Sequence, residues 1–426
     1  MPFGMRSRNS SDPGPWQAYP AAIGRWSWLF LCGLMPISGD WITIPLVVAV
    51  AALLLSRIGR PFNPDWGILW PLFLFYGLHV LGMAWSTDID FGLFDLQIKL
   101  GLVLLPLAAT GFRADQGGSA MRQSMVAFSA GTMVAIMLGL GKALACFGQH
   151  GWIECFTQSY LSYDLHPSYA AWYTVWAILY WVHALATGTV PARWVPPVLA
   201  FLFFALSFSV MLASKSGLIG LLLVLVVAVL LILRNLTGGA RWLAFGALAF
   251  SVALPGWLLS SVIMARTTAA VKAVERVSDE RPGEEAATVD GNDERLAAWT
   301  CSWSLIKENP AGAGTGDIKH ALVGCYETMG AREAAERRLN SHSQFLQGGV
   351  ALGWAGLLSA VLLAVVPLWQ ALRRRDLLLG VFVLLFMLNA AIESVLEVQA
   401  GVVFFALFPA LMARDRSLSV EPTPRP

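Results

Sequence analysis

Apolar runs dominate the chain and recur at the length of a membrane crossing. They lie near residues 24–38, 41–56, 66–85, 91–111, 122–147, 168–188, 194–213, 216–234, 241–264, 344–370, 377–392 and 396–413. A hydrocarbon core about 30 Å thick takes roughly 20 apolar residues per helix. The pattern therefore predicts an all-α polytopic membrane protein with about 12 transmembrane helices. The first two runs are short and could form one re-entrant pair. The pattern is interrupted once, by a long polar stretch over 265–342. The expected division is 1–264 for the first nine spans, 265–342 for a large helical insert, 343–416 for the last three spans and 417–426 for a disordered tail.

Within the insert, residues 265–280 read as helix and Arg281-Pro282-Gly283 as a break. Asp290-Gly291-Asn292-Asp293 reads as a turn and N-cap. Leu296, Trp299, Trp303 and Ile306 follow at helical spacing, an amphipathic stripe. Asn309-Pro310 stops that helix. Gly312, Gly314 and Gly316 then form either a plain turn or a run of backbone N–H groups open to an anion. A last helical stretch over 331–339 leads to Asn340.

Composition agrees with the membrane reading: 57% of the 426 residues are hydrophobic and 13% charged, with a mean hydropathy of +0.62. The net charge of +2 says little, because the charges are sorted by side. Arg6, Arg8, Arg57, Arg60, Arg113, Arg122, Arg193, Arg234, Arg241, Arg373, Arg374, Arg375, Arg414 and Arg416 all fall on one side of a twelve-span chain. Basic residues in short loops mark the cytoplasmic side, so both termini belong there and the insert lies outside the cytoplasm. No cleavage site follows the first apolar run, so no signal peptide is expected. Five cysteines make no framework. Cys301 and Cys325 lie in the insert, where an oxidising compartment permits a disulfide or two free thiols.

The candidate chemistry gathers at the outer surface. Ser341-His342-Ser343-Gln344 fits a capping box, with Ser341 as N-cap and Gln344 as its N3 partner. That places His342 in the first turn of a span, where the helix dipole disfavours imidazolium and leaves a ring able to accept a proton. Lys215 is the basic exception among the short outward loops and opens the eighth span. Arg266 begins the insert, and Arg295 falls in the first turn of its helix. Cations beside helix N-termini build an anion site. His166 opens the sixth span ahead of Pro167, as substrate contact or interfacial anchor. Glu393 and Glu397 sit between the last two spans and could orient His342, pair with a cation or form a plain ion pair. No metal site is expected: Asp88-Ile89-Asp90 occupies a tiny loop, and no metal or nucleotide motif stands out. Nucleic acid is excluded as a partner because the insert is slightly acidic.

With these residues in view, the chain resembles the O-antigen ligase family, which shares a domain with O-antigen polymerases. Leu212-Ala213-Ser214-Lys215-Ser216 is similar to the family's Ser-Arg segment, with Lys replacing the commoner Arg. Arg295 to Trp299, followed by Asn309-Pro310-Ala311-Gly312-Ala313-Gly314, is similar to its Arg, Trp and Pro-x-Gly-x-Gly run. His342-Ser343-Gln344-Phe345-Leu346 is similar to its His-Asn/Ser-x-Tyr/Phe-Leu element. The resemblance implies a GT-C-like glycosyltransferase of a Gram-negative inner membrane, a monomer, inverting and free of metal or other cofactor. Its donor would be an O-antigen glycan on undecaprenyl diphosphate and its acceptor the terminal sugar of lipid A–core. His342 would be the general base. Lys215, Arg266 and Arg295 would hold the diphosphate, and His166, Gln344, Glu393 and Glu397 would contact substrate or orient the base. An O-antigen polymerase and a protein O-oligosaccharyltransferase are the near alternatives. A lipid-linked glycan transporter is the distant one.

Overall fold

The computed structural model describes residues 15–59, 62, 64–112, 117–260, 264 and 291–416. Among these every regular element is helical. Before the insert come α1 (Pro15–Leu34), α2 (Thr43–Leu55), α3 (Trp66–Gly82), α4 (Ile89–Lys99), α5 (Gly101–Ala109) and α6 (Gly117–His150). They are followed by the short α7 (Gln158–Leu161) and by α8 (Pro167–Ala186), α9 (Val195–Met211), α10 (Lys215–Asn235) and α11 (Gly238–Leu258). The insert holds α12 (Gly291–Glu308), α13 (Ile318–Thr328) and α14 (Arg332–Glu336). The chain closes with α15 (Gln344–Arg374), α16 (Leu377–Ile392) and α17 (Gln399–Arg416). Helix stands at each of the twelve expected spans, α4 and α5 sharing one. Seven of these stretches are long and apolar enough to cross a membrane, and three shorter helices are apolar.

The bundle is organised around α8 and α17, which are buried on nearly every face. Trp172, Tyr173 and Trp176 of α8 meet Phe382 and Phe386 of α16 and Phe404 and Phe408 of α17. The Tyr173 hydroxyl donates to the Ala400 carbonyl at 2.7 Å, so this aromatic core leaves its one phenol satisfied. Aromatic and histidine side chains lower the hydropathy of α8, which sees protein and not lipid. By contrast α11 lies at the periphery, only 11% of its apolar window buried.

The insert is joined to the bundle through a break in α15. Leu352 (φ −134°, ψ 19°) and Gly353 (φ 60°, ψ −143°) leave helical geometry. The break frees carbonyls that must find donors where water is scarce. The Pro310–Gly314 loop supplies them: Ala313 N–H donates to Val350 O at 2.9 Å and Gly314 N–H to Ala351 O at 2.9 Å. In return Trp354 N–H donates to Pro310 O at 3.2 Å. Glycine is required at 353 twice over. Its φ is left-handed, and a Cβ there would lie 1.8 Å from the Pro310 carbonyl oxygen. The expected span from 344 is therefore two pieces, a buried entry helix and a span from 354 to 374, still about 30 Å long.

Two readings of the insert change. The buried face of α12 runs through Ala298, Cys301, Ser302 and Ile306, while Leu296 and Trp303 are exposed. The face turns because Cys301 pairs with Cys325 of α13, and Trp303 instead meets Trp354 edge-on. The glycine run is a docking seam, not an anion cradle. The Gly312 N–H is taken by Asn309 O, that of Gly314 by Ala351 O and that of Gly316 by Ser86 Oγ. A second disulfide, Cys146–Cys155, was not anticipated. The readings of 265–290, Arg266 and the tail after Arg416 fall outside the described residues.

Replacing Gly353 with Ala should destabilise the protein by at least about 3 kcal/mol, combining left-handed strain with a backbone clash. Thermal unfolding in detergent checks this. An unchanged melting temperature would show that the 310–314 loop is not seated in the break.

Candidate functional site

Three separate segments converge at one end of the bundle. The first is α12, described from Gly291, which carries Arg295. The second is the linker 340–343 before α15. The third is the loop 393–398 between α16 and α17. Arg295 Nη2 lies 2.7 Å from Glu393 Oε1, and His342 Nδ1 lies 3.5 Å from Glu393 Oε2. One carboxylate therefore faces a guanidinium and an imidazole. Burial pushes the Glu393 carboxyl up, but its bond to His342 and the charges of Arg295 and His342 outweigh this and hold it below the usual carboxylate range.

The capping box is not formed as expected. His342 precedes the helix in left-handed conformation (φ 45°), and Ser343 takes the N-cap position without a side-chain cap. Gln347 Oε1, not Gln344, accepts from Ser341 N–H, at 3.0 Å. Asn340 Oδ1 accepts from His342 N–H at 2.9 Å, and Trp299 Nε1–H donates to the His342 carbonyl at 3.1 Å. These bonds fix a backbone conformation that a histidine adopts at some cost. The ring is mostly buried, and neither its Nδ1, 3.5 Å from Glu393 Oε2, nor its Nε2 makes a hydrogen bond among the described residues. A proton on Nδ1, the nitrogen nearer Glu393, would leave Nε2 as the acceptor.

Gln344 and Glu397 turn away from His342. Gln344 Oε1 accepts from Leu396 N–H at 2.6 Å, and its Nε2 donates to Glu397 Oε1 at 3.3 Å. Glu397 is paired with Lys99 at 2.9 Å, and Lys99 also bonds Asp95. The two glutamates, four residues apart, thus serve different networks. Sequence reading missed Asp95 altogether. Its only signal was its place one helical turn before Lys99 in an apolar run.

His166 caps α8, its Nδ1 accepting from Ser168 N–H at 3.4 Å, with Glu393, Arg295 and His342 in electrostatic reach. Lys215 is the first residue of α10, half-buried, after the left-handed Ala213 (φ 48°) and the N-cap Ser214. Gly217, in that same turn, lies against Ala171 near the start of α8, so Lys215 is at the His342 end of the bundle. Asp88 caps α4 by accepting from Phe91 N–H at 2.9 Å and faces His320 at 3.2 Å. Among the described residues no group of three or more His, Cys, Asp or Glu is placed to hold a metal ion.

Residues 200–361 match the family model described as O-antigen ligase. The chain carries a domain of that family. The match takes in Lys215, Arg295 and His342, the residues on which the resemblance rests. The match supports an enzyme of O-antigen ligase type, with glycosyl transfer of ligase or polymerase kind in lipopolysaccharide synthesis. No curated protein matches it.

The low position of Glu393 carries a pH signature. A carboxyl whose folded pKa is below its unfolded one adds stability above the unfolded value, lost as pH falls through the folded value. The Arg295–Glu393 contact should contribute about 1.5–3 kcal/mol near pH 7. Glu393→Gln should therefore melt below wild type at pH 7 and alongside it only at a pH below the depressed pKa of folded Glu393, itself under the ordinary carboxylate value of about 4.3. A constant gap at both pH values would show that Glu393 is not held ionised by its neighbours.

Proposed function

We propose that this protein moves an O-antigen glycan from undecaprenyl diphosphate to the terminal sugar of lipid A–core at the periplasmic face of the inner membrane. The observation that carries this reading is the meeting of Arg295 and His342, both within the O-antigen ligase family match, at Glu393, which lies beyond it in the chain. Both disulfides lie at the His342 end, as suits an oxidising compartment. With the arginine-rich loops at the opposite end, this suits cytoplasmic termini; twelve spans and a GT-C-like architecture belong to the same reading.

The acceptor hydroxyl has a high pKa and needs a base only as it attacks. In the proposed step its oxygen forms a bond to the anomeric carbon while its proton passes to His342 Nε2. The bond from that carbon to the diphosphate oxygen breaks, and undecaprenyl diphosphate departs with the electron pair. Direct displacement inverts the anomeric centre and requires no carboxylate nucleophile. Glu393, at the other nitrogen, holds the ring and stabilises the imidazolium that forms. The leaving diphosphate is a weak base and needs charge compensation more than a proton. Lys215 and Arg295 are the described candidates for that task; Arg266, the third cation of this reading, lies outside the described residues. Arg295 is already engaged by Glu393, so it links the anion side of the site to the base.

His342→Ala should abolish transfer by purified enzyme and leave binding of undecaprenyl diphosphate intact; near-normal turnover would remove the base. Lys215→Ala should slow transfer roughly ten- to a hundredfold, the loss of one charge-assisted bond of about 1.5–3 kcal/mol, while Lys215→Arg retains most activity. Equal turnover of all three would reduce Lys215 to a surface charge. Lipopolysaccharide from a deletion strain separates ligase from polymerase. Uncapped intact core with accumulated long lipid-linked glycan means ligase, and core bearing a single repeat means polymerase.

A further inference from the structure

Lys99 is a lysine with no exposed surface, in the last turn of α4, and it touches two carboxylates. One, Asp95, is on its own helix. The other, Glu397, belongs to the loop that also carries Glu393. We infer that Lys99 is a positioning residue for the transfer proposed above: by holding Glu397 it fixes the 393–398 loop, and with it Glu393 against His342. The inference rests on that reading of His342 and Glu393.

The loop is fastened at both ends. At its far end Glu397 is held by Lys99 at 2.9 Å and by Gln344 Nε2 at 3.3 Å, while Leu396 N–H donates to Gln344 Oε1 at 2.6 Å. At its near end Glu393 meets Arg295 and His342. Ser394 Oγ donates to Asn340 Oδ1 at 3.4 Å, the oxygen that also accepts from His342 N–H at 2.9 Å. Between these points there is no slack, since a Cβ on Gly401 of α17 would lie 1.7 Å from the Val395 carbonyl oxygen. Movement at Glu397 is therefore transmitted to Glu393.

Charge makes Lys99 the controlling member. The groups around it are Asp95 from α4, Glu397 from the loop and His79 from α3, which lies beside Lys99 and Glu397. Without the ammonium, two buried carboxylates face each other in a low-dielectric setting, where like charges repel strongly. Glu397 must then shift or take up a proton, and its partners shift with it. A buried ion cluster seldom stabilises a protein beyond what apolar residues would, and fixing one geometry is its better-attested use.

The test compares wild type, Lys99→Met and the double variant Lys99→Met/Glu397→Gln, as full chains in nanodiscs with the lipid-linked donor. In Lys99→Met, kcat should fall roughly ten- to a hundredfold, the scale of a small misplacement of a reacting group, with KM for donor nearly unchanged. Backbone hydrogen exchange over 393–398 should quicken. The double variant should recover most of kcat, because Asp95 then faces an amide and not a second carboxylate, while a Gln344 partner remains. Unchanged exchange over 393–398 in Lys99→Met overturns the positioning role, whatever the turnover. Faster exchange there with unchanged kcat overturns instead the reading of Glu393 and His342 as the reacting pair. Equal losses in the single and double variants, with exchange raised throughout the chain, make Lys99 a folding residue only and also overturn the inference.

Discussion

The site depends on one backbone constraint, the closure of the broken α15 helix. Carbonyls freed at a helix break inside a membrane protein must be paired, because the surroundings offer little water to replace the lost bonds. The Pro310–Gly314 loop pairs them and so becomes part of the span. Adjoining residues extend the seam to a second span. Thr315 Oγ1 donates to the His79 carbonyl of α3 at 2.6 Å, and Asp317 accepts from Thr87 N–H at 2.7 Å and Asp88 N–H at 2.9 Å. Gly316 is small because a Cβ would stand 2.0 Å from the Asp88 carbonyl oxygen. A polar segment set between two spans is thereby held on both, and α12, which carries Arg295, is held with it.

The charges obey a similar rule. Where the bundle is dry, cations and carboxylates pair closely, as Lys99 does with Asp95 and Glu397. At the rim only the histidine is loosely held: Glu393 meets Arg295 at 2.7 Å but His342 at 3.5 Å, and neither imidazole nitrogen makes a hydrogen bond among the described residues. A group that exchanges a proton with substrate has to keep one nitrogen available. The same loop supplies a carboxylate to each environment, four residues apart, which is why one glutamate belongs to the site and the other to its support.

Much of this was legible in the sequence, for identifiable reasons. Helix at each expected span follows from long apolar runs bounded by Asp, Ser and His caps, a signal that needs no tertiary information. His342 and Glu393 stood out as polar groups at the ends of apolar runs and Arg295 as a cation near a helix start in the polar insert, and the structure brings them together. Partners were not legible. That Glu393 serves His342 and Glu397 serves Lys99 depends on how a six-residue loop lies across α17. Asp95 looked like one polar residue in an apolar helix, since the charge opposite it comes from the far end of the chain.

The local motifs failed where tertiary contacts compete for the same backbone groups. Ser341 and Gln344 have the spacing of a capping box, yet the donors of a helix start go to whichever acceptors packing brings nearest. Gln347 reaches Ser341 first, Gln344 is drawn to Leu396 and Glu397, and the helix begins two residues after His342. Of the two readings of the glycine run, the anion site fell in the same way: its N–H groups looked free because their acceptors, Ala351 O of α15 and Ser86 Oγ in the loop after α3, lie far off in sequence. Both misreadings put too much of the site's chemistry into backbone dipoles. What the backbone does here is fix the pieces, through the loop in the α15 break and the left-handed turn at His342. That leaves recognition of an anion and transfer of a proton to side chains, to Lys215 and Arg295 for the first and to His342 with Glu393 for the second.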